Sequence, residues 1–218
     1  MTILIALILL PLGVIGVQLT LGLDGAIGYS IYKLFFVIPP LAYCRTYNVR
    51  VFGDVIKPRN WRRCLLPAVG LGIAAVVIFW GAYYLLSDLL LDKAMIAEKI
   101  GKQFSVTAGT VLLIAPVTIF ANSLLEEFFY RGFGFGLLVR RHRWLGYLLP
   151  AAAFTLQHTL FIYHWVTPVP FAMAVVSLLI FALVLEKTYE AADSLVAPWV
   201  VHILGDVAMM GIAVTMLW

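Results

Sequence analysis

Charge is what this 218-residue chain has least of: Asp, Glu, Lys and Arg together make up 12% of it. An ordinary soluble domain carries about 25%. So little polar surface cannot cover a water-facing globule, which excludes a soluble enzyme and a nucleic-acid-binding domain. The two cysteines, Cys44 and Cys64, are too few to frame a small secreted module. Internal repeats, low-complexity tracts and soluble-domain stretches are also missing. What is present is apolar: 63% hydrophobic residues, 14% aromatics and a mean hydropathy of +1.02. Aromatics at that level argue against disorder. The composition predicts an all-α, polytopic membrane helical bundle.

Spans are read from where charge is absent, because crossing the hydrocarbon core takes about 20 apolar residues. Residues 1–23, 64–87 and 103–125 contain no Asp, Glu, Lys or Arg, and residues 25–44 contain only Lys33. Residues 144–185 are also free of them but too long for one crossing, and the stretch His164-Trp165-Val166-Thr167-Pro168-Val169-Pro170 divides them. Residues 194–218 contain only Asp206, which brings the expectation to about seven transmembrane helices. The first segment lacks the positive n-region of a signal peptide and is read as a retained span. The connector 87–103, with acids and lysines mixed, is read as a solvated connector in preference to a short surface helix.

Orientation follows from the basic loops. Arg45, Arg50, Lys57, Arg59, Arg62 and Arg63 fall in one loop, and Arg140, Arg141 and Arg143 in another. Loops of the opposite parity are balanced or lack basic residues. The bias predicts a cytoplasmic N-terminus and an outside C-terminus.

The informative residues are those that lipid should exclude, since a charge at mid-bilayer costs roughly 2.5–3.5 kcal/mol on insertion scales. They are Lys33, Glu126, Glu127, Arg131, His158, His202 and Asp206, with Asn122 and Gln157 as neutral company. Counted from Arg140, Arg143 and Asp193 at about 1.5 Å per residue, Glu126, His158, His202 and Asp206 all lie roughly 14–22 Å from the cytoplasmic boundary. Three spans thus bring ionisable groups to one level. Each has a structural reading by itself: Glu127 with Arg131 as an i,i+4 ion pair, His158 as an interhelical donor, His202 with Asp206 as a packing pair, Lys33 as a snorkelling or bundle-facing residue. A shared depth favours a buried, wet, functional site. Glu126 is rotated about 100° from Glu127, toward Asn122 and Tyr130, and reads as the freer carboxylate. Gly132 and Gly134 allow close backbone approach or a bend.

These residues carry a resemblance. Glu126-Glu127-Phe128-Phe129-Tyr130-Arg131 matches EExxxR, Phe154-Thr155-Leu156-Gln157-His158 matches FxxxH, and His202-Ile203-Leu204-Gly205-Asp206 matches HxxxN or HxxxD. In that order, on separate spans, they resemble the CPBP family of intramembrane proteases, also called CAAX prenyl protease type II, bacteriocin-processing or Abi. The segment Ser194-Leu195-Val196-Ala197-Pro198 also resembles the family's lead-in to the third motif, and the likeness covers roughly residues 107–218. It implies one integral-membrane domain over 1–218, with less typical N-terminal helices at 1–105 and a catalytic core at 106–218.

The resemblance implies an endopeptidase cutting near the C-terminus of a hydrophobic or lipid-modified peptide or protein, within the lipid bilayer of a bacterial or archaeal cell (inner) membrane. Glu126 would activate water with help from His158, Glu127 and Arg131 would shape the site, and His202 with Asp206 would stabilise the oxyanion. Asn122, Tyr130 and Phe154 would support them. Asp206 departs from the amide some members carry, since an ionised carboxylate cannot donate; it either carries a proton, orients His202, or leaves the donation to another group. A glutamate-dependent mechanism without cofactor is favoured. The alternative is zinc on His158, His202 and Glu126 or Asp206, although no HExxH is present. Other functions compatible with the residues are a non-catalytic scaffold or immunity protein of the same fold, and a proton-coupled transporter, for which no repeat pairs the two halves.

Overall fold

The structure, a computed structural model, describes residues 3, 6–9, 12, 13, 33, 36–48 and 61–218. Most of the first expected span, half of the second, and Arg50, Lys57 and Arg59 of the basic loop lie outside those residues. No strand occurs among the described residues. The helices are α1 (Ile38–Tyr47), α2 (Trp61–Leu90), α3 (Lys93–Phe104), α4 (Gly109–Leu138), α5 (Arg143–Ile162), α6 (Pro168–Ala192) and α7 (Val196–Leu217). Five of them, α2 and α4 to α7, are long and apolar enough to cross a membrane, and they correspond to the third through seventh expected spans.

The connector after residue 87 takes the less favoured of its two readings, a short surface helix: α2 continues to Leu90, and α3 starts where the Asp92 carboxylate accepts from Met95 N at 2.9 Å. That cap satisfies one of the orphan donors of a helix start. A Lys102–Glu98 pair one turn apart adds to it. The uncharged stretch 103–125, for its part, marks only the first half of α4. The helix runs on through Glu126, Glu127 and Arg131, because their charges are met inside the protein and never face lipid.

Capping begins α4 too: Thr107 and Thr110 exchange side-chain and backbone hydrogen bonds in a capping box. Pro116 then removes a donor, and the helix widens to π geometry over Val117–Asn122 and again over Phe128–Phe135. The second widened stretch follows Glu127 directly. Its residues are all buried. Phe129, Tyr130 and Phe133 join Phe154 of α5, Ala182 of α6, Phe36 and Leu7 in the largest apolar cluster.

Between lipid-facing helices the hydrophobic effect adds little, so close approach of backbones decides their packing. α7 lies along α2 in this way. A Cβ on Gly72 of α2 would sit 2.9 Å from Leu204 Cβ, and one on Gly211 of α7 would sit 2.9 Å from the Trp80 indole. Around Gly70, two residues before Gly72, there is open space. Gly72→Val is therefore expected to lower stability by about 1–3 kcal/mol, while Gly70→Ala leaves it unchanged or slightly raised. Thermal unfolding of the two variants in detergent checks this.

Candidate active site

Helices α4, α5 and α7 deliver Glu126, His158 and His202 to one point. Glu126 Oε2 lies 3.5 Å from His158 Nε2 and 3.6 Å from His202 Nε2, and it has no hydrogen-bond partner. The other oxygen, Oε1, accepts from the Lys33 ammonium and from Gln157 Nε2, the latter at 3.3 Å. Glu126 is thus not the freer carboxylate expected. One of its oxygens is committed to a cation and an amide; the other is unpartnered. The amide itself is held, because the Tyr130 hydroxyl donates to Gln157 Oε1 and so turns Nε2 toward the acid.

Each histidine is oriented through its other nitrogen. His158 Nδ1 is 2.8 Å from the Phe154 carbonyl, which only accepts, so Nδ1 carries the hydrogen. His202 Nδ1 is 2.7 Å from Glu127 Oε1, and the same oxygen accepts from Arg131 Nη1 at 3.1 Å. Arg131 in turn donates to the Ala182 carbonyl at 3.3 Å, and its guanidinium lies 4.5 Å from the centre of the Phe154 ring. Glu127 and Arg131 do form the expected i,i+4 pair, and His202 from α7 makes it a triad. Phe154 is the wall they share, with its ring centroid 4.2 Å from that of His158 and 5.7 Å from that of His202.

Burial divides the constellation into a back and a front. Lys33, Glu126, Glu127, Arg131 and His202 are buried. The His158 and Asp206 side chains keep 27% and 21% of their surface exposed and form the open side. Asp206 Oδ1 lies 3.7 Å from His202 Nε2, beyond hydrogen-bond reach, and Oδ2 has no partner. The ring is therefore oriented by Glu127, and Asp206 is a neighbouring charge on the open side. Asn122 is buried next to the site's helix turn with an unpartnered Oδ1.

Two features escaped the sequence reading. Lys33 was readable as bundle-facing, but its partner stands 93 residues away and only the fold brings them together. Glu186, just past the end of the uncharged run, is fully buried with neither oxygen hydrogen-bonded, close enough to Arg131 and Glu127 to interact electrostatically. An acid one residue past an uncharged run is the signal that pointed to it. The zinc alternative draws on the same converging side chains, Glu126, His158 and His202, of which Glu126 also accepts from the Lys33 ammonium.

Membrane-length helices closed around buried carboxylates, imidazoles and cations define an integral membrane protein with an internal ionisable site. Residues 108–208, which hold all three motifs, match the family model described as Type II CAAX prenyl endopeptidase Rce1-like. No curated protein and no solved structure matches the chain.

Removing one partner of a buried ion pair strands the other charge. Arg131→Met is expected to destabilise by about 3–5 kcal/mol. Arg143→Ala, which opens a surface pair with Glu190 that Lys187 and Tyr147 still partner, costs about 1 kcal/mol or less. Thermal midpoints in detergent, read by size-exclusion of the surviving fraction, compare the two.

Proposed function

We propose that the chain is an intramembrane endopeptidase in which Glu126 and His158 activate water for attack on a peptide bond near the C-terminus of a hydrophobic or lipid-modified substrate. The observation that carries this reading is the convergence of Glu126 Oε2 with two imidazole Nε2 atoms at 3.5 and 3.6 Å. Those separations are poor direct hydrogen bonds, and they leave the three atoms grouped where one water on the open side can reach them. With its Nδ1 hydrogen committed to Phe154, a neutral His158 presents a lone pair at Nε2. A water beside it and Glu126 can donate to the Glu126 carboxylate with His158 as the second acceptor within reach, which leaves its own lone pair for a substrate carbonyl.

In the proposed step, water oxygen bonds to the carbonyl carbon while Glu126 Oε2 takes the proton. The carbonyl π electrons move to oxygen. An imidazolium at His202 satisfies Glu127 through Nδ1–H and offers Nε2–H to that oxyanion, the position at which donors contribute most to such reactions. Asp206, an acceptor when ionised, acts by its charge on this imidazolium. The Glu126 proton then passes to the leaving nitrogen as the C–N bond breaks. No metal takes part in these steps. The site opens toward the cytoplasm, as the basic loops imply, and water and peptide enter past His158 and Asp206.

Glu126→Gln and His158→Ala are expected to lower the rate at least 100-fold while the protein still inserts and keeps its elution profile. The readout is mass spectrometry of substrate C-termini in membranes carrying each variant, with and without a chelator. Wild-type cleavage by both variants, or full loss of activity on chelation alone, rejects the reading.

A further inference from the structure

Lys33 stands outside the segment matched to the protease family, yet its ammonium is buried against the site's central acid. A lysine serving only to reach the membrane surface would keep its head in water. This one has 1% of its side chain exposed. Its placement is fixed by Phe36, three residues on, which is fully buried and stacks on Phe129 at 4.7 Å and meets Tyr130 edge-on at 5.9 Å. Both aromatics follow Glu126 on α4, so anchoring Phe36 there brings Lys33 to Glu126.

We propose that Lys33 is a positioning residue of the active centre: it takes up Glu126 Oε1 so that Oε2 alone meets the water, and it supplies the positive charge that offsets Asp206. The proposal rests on the hydrolytic reading above. A carboxylate can offer either oxygen to water. Here Oε1 already accepts from Lys33 and Gln157 at the buried back, while Oε2 faces His158 on the open side. The acid is thereby held in one rotamer with one reactive oxygen.

Charge gives the second half of the argument. The groups nearest Glu126 and His202 are the carboxylates Glu127, Asp206 and Glu126 itself, the His158 imidazole and the cations Arg131 and Lys33, with the Glu186 carboxyl farther back beside Arg131 and Glu127. Carboxyl groups thus outnumber the two fixed cations. Without Lys33 a single fixed cation is left among them, in a place where hydration cannot relieve the imbalance. A third-motif Asn brings no charge to that position. An Asp does, and Lys33 acts electrostatically on it.

The test uses the full chain reconstituted in vesicles with the cleavage assay above, and Glu126→Gln alongside. Lys33→Met is expected to lower kcat at least tenfold with KM within about twofold, Lys33→Arg to restore kcat to within about threefold of wild type, and Asp206→Asn to recover part of the loss when added to Lys33→Met. Wild-type kcat in folded Lys33→Met, or Lys33→Arg no better than Lys33→Met, overturns the proposal. If Lys33→Met does not fold, the charge-balanced Lys33→Met/Asp206→Asn protein is expected to fold, and its failure to do so overturns the charge argument. Active Glu126→Gln sinks the hydrolytic reading and this proposal together. Inactive Glu126→Gln beside a fully active Lys33→Met sinks this proposal alone.

Discussion

A charge shielded from both water and counter-charge is too costly to keep, and that constraint arranges the centre of this molecule. Glu126 and Glu127 are neighbours on one helix, and both are buried. Each must therefore find its own cation. Glu127 finds Arg131 a turn along α4 and His202 on α7; Glu126 finds Lys33 from the N-terminal region. The two acids point to different partners because successive helical residues are rotated by about 100°. From that division follow the roles proposed for them, one acid orienting an imidazole and the other meeting water.

The ion pairs also position helices. Arg131 reaches the Ala182 carbonyl of α6 and the Phe154 face of α5, so a single guanidinium ties α4 to both. The widened turn beginning at Phe128 presents a run of aromatic side chains to those same helices. π segments recur at functional sites because they let several consecutive side chains face inward. At the other side of the bundle the constraint is steric. α7 reaches α2 through glycines, and the position of His202 in depth depends on that contact. Polar satisfaction and backbone proximity therefore act on one helix from two directions.

The match of residues 108–208 to a prenyl endopeptidase family model is what joins this architecture to the peptide hydrolysis proposed for it. Physical chemistry adds how the proposed reaction could run among lipids. Buried groups at the back hold one oxygen of Glu126, and partly exposed His158 and Asp206 leave a way in for water. Desolvation strengthens every interaction at the back, while the front admits the reactant.

Much of this was legible in the residues themselves. Runs without charge located α2 and α4 to α7, since a span facing hydrocarbon must be largely apolar, and similar distances from the ends of their spans placed Glu126, His158 and His202 near one level. The i,i+4 spacing of Glu127 and Arg131 sufficed to predict their pairing, because a helix fixes that geometry locally. Two things were decided only by the tertiary structure. His202 turned to Glu127 in preference to Asp206, four residues along its own helix. And Lys33 crossed 93 positions of sequence to meet Glu126. Depth and periodicity are properties of one segment measured against the membrane. Partner choice between buried charges depends on which helix faces sit side by side, and no single segment contains that information.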